Sequence, residues 1–194
     1  MKPVTLKEIL TLQQYDVLRP RLRPLFMVEK DRHRLAVGEH VTLLFENART
    51  VWYQVQEMMR TERMTSEGAI RHEIDTYNEL LPLPGELSAT VLLEFAREER
   101  DKALRALVGI EQQVFIRIDQ RREPARFDPR QMSAERVSSV QFARFPLGGL
   151  DPYEFLEMAN REKVAIEITH PSLSAKGLIT GTLAQALAQD LAED

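Results

Sequence analysis

Between His40 and Met64 the chain changes period. Val41 to Phe45 reads as a strand, and a break follows at Glu46-Asn47. Beyond it Ala48, Val51, Val55, Met58 and Met59 recur at i, i+3, i+7, i+10 and i+11, the apolar stripe of a helix packed on a core. Asn47 is placed to cap that helix, because its side-chain oxygen can take an orphaned backbone N–H. A second stripe of Arg49, Trp52, Tyr53, Gln56, Arg60 and Arg63 runs beside the first. Two readings stand for it: a solvated basic flank, or a recognition surface, since Trp, Tyr and Arg supply much of the energy at interfaces.

The pattern on either side predicts the remaining elements. Thr5 and Glu8 have capping-box spacing for a short opening turn. Pro20 fits the first turn of a helix continuing from Leu25 to Arg32. Leu35–Val37 is a strand, joined to the next through Gly38-Glu39. Thr65-Ser66 starts a helix in which Ile70, Ile74, Tyr77 and Leu81 share a face, and Pro82, Pro84 and Gly85 stop it. This stop divides an N-terminal extension, residues 1–85, from a core, residues 86–194, the two packing as one unit.

In the core, strands at 90–95, 114–118, 140–145 and 164–169 alternate with helices at 97–108 and from the Asp151 cap to about Asn160. Val114, Ile116 and Ile118 turn one way and Phe115 and Arg117 the other. Residues 119–138 read as a polar loop, and 178–192 as a final helix. The order β-α-β-β-α-β predicts an α+β protein with a ferredoxin-like antiparallel sheet, an N-terminal helical and strand extension and a C-terminal helix. Helices would cover one face of that sheet. The other would show Leu92, Glu94, Phe115, Arg117, Ala165, Glu167 and Thr169, half of them apolar, and should be covered by the extension, a second copy or a ligand.

Composition narrows the chemistry. Hydrophobic residues make up 43% of the 194, as in a globular domain. The chain has no cysteine, which removes thiolate, disulfide and iron–sulfur chemistry. Together with the absence of a signal-like N-terminus or a long apolar run, this points to the cytoplasm and away from membranes. The net charge of −4 is uneven: residues 1–64 hold 11 basic against 8 acidic side chains. That excess is too small for a nucleic-acid footprint.

No metal or cofactor is indicated. The four histidines fall in no HExxH or paired Glu-x-x-His pattern, and His72, Glu73 and Asp75 form the tightest group. There is no G-x-S-x-G turn, and Gly148-Gly149 lacks the ending of a phosphate loop.

The segments LKEIL, VGEHVTLLFENARTVWYQVQEMMRTER, IDTYNELLP, SVQFARF and ITHP resemble the bacterial family called domain of unknown function 3501, most specifically at residues 45–58. The resemblance implies an accessory role beside redox or peroxide chemistry and transfers no catalytic residue. A binding or accessory protein is therefore expected, a homodimer or the partner of another protein, with Glu46, Asn47, Arg49, Trp52, Tyr53, Gln56 and Arg60 as its surface. The alternative is an enzyme or sensor binding a small anion through Arg49, Gln56 and Arg60.

Overall fold

The computed structural model describes residues 1–193. A three-residue turn at Leu6–Glu8 leads to α1 (Leu12–Arg32), and β1 (Arg34–Val37) and β2 (Val41–Phe45) form a hairpin. Helices α2 (Ala48–Glu62) and α3 (Glu67–Asn78) precede β3 (Glu86–Leu93) and α4 (Arg100–Ala106). Then come β4 (Val114–Ile118), β5 (Arg121–Pro124), β6 (Arg126–Phe127) and β7 (Val140–Pro146). Helix α5 (Pro152–Asn160), β8 (Val164–His170), β9 (Leu173–Leu178) and α6 (Gly181–Ala192) complete the chain. No helix among the described residues is long and apolar enough to cross a membrane.

The protein is α+β, with two antiparallel sheets in the orders β1-β2-β3-β7-β6 and β5-β4-β8-β9. The expected ferredoxin-like sheet is not formed, because β3 and β8 lie in different sheets. A strand has two edges, and both edges of each candidate centre are taken. β3 is held between β2 and β7, and β7 between β3 and β6, which leaves no edge for β8 or β4. The hairpin assigned to the extension is thus part of the sheet. Three strands were not expected: β5 and β6 lie within 119–138, the stretch read as a polar loop, and β9 fills the unassigned stretch before the final helix.

Chain continuity ties the sheets together, since β5 ends at Pro124 and β6 begins at Arg126. The buried Ala125 between them donates its N–H to the Val114 carbonyl (2.9 Å). At the opposite end β1 meets β9 so closely that a Cβ on Gly177 would lie 2.7 Å from the Ala36 carbonyl oxygen. Between the sheets lies the main core: Leu43 and Phe45 of β2, Val91 of β3, Ile116 of β4, Phe145 of β7 and Ile166 of β8, closed by Phe155 of α5 and Leu187 of α6. The face expected to lie open is divided. Leu92 and Glu94 go with the first sheet, while on the second Arg117 Nε bonds Glu167 across β4 and β8 (2.8 Å).

α1 is continuous through both prolines. Pro20 and Pro24 are four residues apart, hence on one face, and both are exposed. Water can take the carbonyls that lose their helical N–H.

Candidate functional site

α2 is built as its sequence predicts. Asn47 caps it, accepting hydrogen bonds from the N–H groups of Arg49 (3.0 Å) and Thr50 (2.9 Å), and Val51, Val55 and Met59 are buried. The second stripe faces α1 and the N-terminal segment. Phe26 stacks on Tyr53 (4.7 Å) and Trp52 (5.3 Å), and Trp52 Nε1 donates to the Glu8 carbonyl (2.9 Å). Gln56 is buried; its oxygen accepts from Leu10 N–H (3.0 Å) and its amide donates to the Leu10 carbonyl (3.3 Å). Arg60 pairs with Asp16 (2.7 Å). Nearby, Arg19 grips Glu57 through two bonds (2.7 and 2.9 Å) while Tyr15 donates to the same carboxylate. The Arg19 hydrogen bonds outweigh burial and hold Glu57 below the usual carboxylate range.

The cap residue opens onto a buried polar junction. Asn47 Nδ2 donates to Glu29 (3.0 Å) and Asp190 (3.2 Å). His33 Nε2 is 2.8 Å from Asp190 Oδ2, and Nδ1 is 2.8 Å from the Glu29 carbonyl. Each ring nitrogen faces an acceptor, which favours the charged ring, while Asn47 Nδ2 also lies 3.2 Å from Nε2. Burial works against this charge; the hydrogen bonds from Asp190 and the Glu29 backbone, with both carboxylate charges, overcome it and raise the His33 pKa. Arg49 closes the junction at the surface, reaching Glu29 and Glu193 (both 3.3 Å). The junction joins α1, α2 and α6. Asn47 Nδ2 fills the space between its acids, and no group of three acidic or histidine ligands suited to a metal occurs among the described residues.

Glu46 points elsewhere. It lines a cavity of about 810 Å³ on the outer face of the first sheet. The volume lies within the range of about 300–1,000 Å³ that small-molecule sites occupy. Strand pairing lays down the floor: Glu46 N–H donates to the Ser88 carbonyl (2.9 Å), Ser88 pairs with Arg144, and Arg144 with Arg126. One row of side chains thus crosses β2, β3, β7 and β6. Phe142 lies in the next row, opposite Thr90. Tyr77 and Leu80 at the end of α3 and the segment Phe127–Gln131 form the walls, with Gln131 accepting from Phe142 N–H (2.9 Å). Burial raises the Tyr77 pKa, against a hydrogen bond to Gln54, so the phenol keeps its proton.

Three arginines line this cavity, and two are neutralised. Arg130 pairs with Glu79 (2.6 Å) and Asp128 (2.7 Å), and Arg144 with Glu86 (2.5 Å). Arg126 has neither ion pair nor hydrogen bond among the described residues, the condition of a guanidinium available to a ligand. Of the residues expected from sequence, only Glu46 reaches this place. The others form the α1–α2 seam and the polar junction. Arg126 and Phe127 sit in the stretch read as a polar loop. The usable signal there is an Arg-Phe pair just before Asp128-Pro129, a cap followed by proline.

A family model described as Protein of unknown function (DUF3501) matches residues 3–191. The chain belongs to this family. No curated protein matches the chain. A solved structure matches it along its length: a novel protein of unknown function from Burkholderia pseudomallei K96243, 32% identical, with a TM-score of 0.86, covering 98% of this chain and 100% of that one. DUF3501 membership therefore carries the architecture, and the cavity must supply the chemistry.

Proposed function

We propose that this DUF3501 protein is a binding protein of accessory type, which takes a small organic anion with an apolar body into the cavity beneath α3. Arg126 carries the reading. It is the cavity arginine without a carboxylate, and Phe127, Phe142 and Tyr77 stand beside it. A guanidinium forks onto a carboxylate or phosphate, while the rings take the apolar part. With no cysteine in the chain, a place beside redox or peroxide chemistry would rest on binding and not on a thiol. Arg49 and Arg60 are already paired and Gln56 is buried, so the anion site lies at Arg126 and not on the α2 stripe.

The test is thermal unfolding with phenylacetate, phenylpyruvate and 4-phenylbutyrate. A ligand at a hundred times its Kd adds about 2.7 kcal/mol, which raises Tm by roughly 5–10 °C in a chain of this size. The rise is expected for the parent and lost in Arg126→Ala. A folded parent that responds to none of the three sinks the proposal.

A protein partner is the second reading, and α1 supports it. Val17, Leu25 and Val28 are 73, 66 and 60% exposed and lie within one face of that helix. Sedimentation should show a dimer that Leu25→Glu dissociates; a monomer for the parent at high concentration would count against self-association.

A further inference from the structure

We infer that the cavity is bipolar and that its ligand is a zwitterion, with an anionic end at Arg126 and a cationic end at Glu46. The inference rests on the cavity being a ligand site and adds what stands at its far end. Glu46 forms no ion pair among the described residues. Its carboxylate accepts one hydrogen bond on each oxygen, from Thr90 and from Thr50 (both 2.5 Å). An ionised carboxylate offers about four acceptor positions, so about half remain open. Lys30 lies within electrostatic reach but makes no contact with it of ion-pair length.

The two hydroxyls orient the carboxylate, while the open positions remain for an N–H donor. Glu46 and Arg126 end the same row of side chains, three strand spacings apart, roughly 14 Å between backbones. Side chains standing roughly perpendicular to the sheet keep the poles about that far apart, and a hydrogen bond of about 3 Å at each end leaves room for a molecule on the order of 10 Å between its own poles, the length of about three extended residues. The neutralised Arg144 and the phenyl ring of Phe142 lie along the way. A ligand with one charged end would leave either the open acceptor positions of Glu46 or the Arg126 guanidinium unmatched; a zwitterion satisfies both.

The experiment uses the tripeptide Gly-Phe-Gly, its N-acetyl form and its C-terminal amide, measured by calorimetry on the full chain. The free peptide should bind about tenfold more tightly than either masked form, the ratio expected for one charged hydrogen bond. Glu46→Gln should erase the preference for the free amine and keep the preference for the free carboxylate. Arg126→Gln should do the reverse. Both variants keep a polar side chain, at a half-buried position for Glu46 and an exposed one for Arg126, and circular dichroism checks that they fold. If the N-acetyl peptide binds as tightly as the free one while Arg126→Gln still weakens both, the cation pole is wrong and the anion site stands. If none of the peptides binds and the aromatic carboxylates also fail, both readings fall.

Discussion

At the scale of single residues, the polar side chains that looked like surface are the ones most committed to the interior. Gln56 holds both backbone groups of Leu10, and truncation leaves them half-buried without these partners. Gln56→Ala should cost about 2–3 kcal/mol, read as a shift in the urea midpoint. Arg60→Ala, which removes an exposed pair, should change stability by less than about 1 kcal/mol. Equal effects would mean that Leu10 is not held by the amide. His33 gives a pH dependence. Its pKa is raised on folding, so its contribution is complete below the unfolded value of about 6.5 and fades as pH rises through the folded value. The urea midpoint should therefore fall on going from pH 6 toward pH 9, and His33→Gln or Asp190→Asn should flatten that slope. A slope unchanged in both variants would assign it to other groups. None of this was legible in one dimension. Periodicity shows which face a residue occupies, but not that a second helix covers that face.

At the scale of elements, α2, its cap, the α5 cap at Asp151 and the strands at 114–118 and 164–170 follow the hydrophobic pattern closely. Two of the errors share a cause, proline inside regular structure. Pro20 and Pro24 suggested a late helix start, though both fall on the wet side of α1. Pro124 lies in the stretch read as a polar loop, but it stands at the last residue of β5, where the chain leaves one sheet for the other. In β9, Gly177 serves the packing: besides the Ala36 carbonyl, a Cβ would meet Val37 Cγ2 at 2.9 Å. Gly177→Ala should cost about 1–3 kcal/mol. Gly68→Ala, in α3 with nothing within 4 Å of the added methyl, should instead stabilise by about 0.5 kcal/mol. Thermal melts of the two should move in opposite directions, and a neutral Gly177 variant would show that β1 and β9 can part without cost.

At the scale of the whole molecule, the division expected near residue 85 runs through a sheet, since β1 and β2 stand on one side of it and β3 on the other. The first hairpin and the later strands supply a common core, so the class α+β was readable from the order of elements while the sheet partners were not. Pairing depends on which edges are already occupied, and edges have no signature in a single strand's sequence. The least secured member of this arrangement is β6, joined to β7 through only two residue pairs, Arg126 with Arg144 and Phe127 with Ala143. Such a short rung opens without the rest of the molecule unfolding. Its amide protons should exchange with deuterated solvent sooner than those of β3 or β8. An occupant bridging Arg126 to the floor would slow that exchange by holding the rung shut, so the label at residues 126–131 becomes a gauge of occupancy that works whatever the chemical identity of the guest.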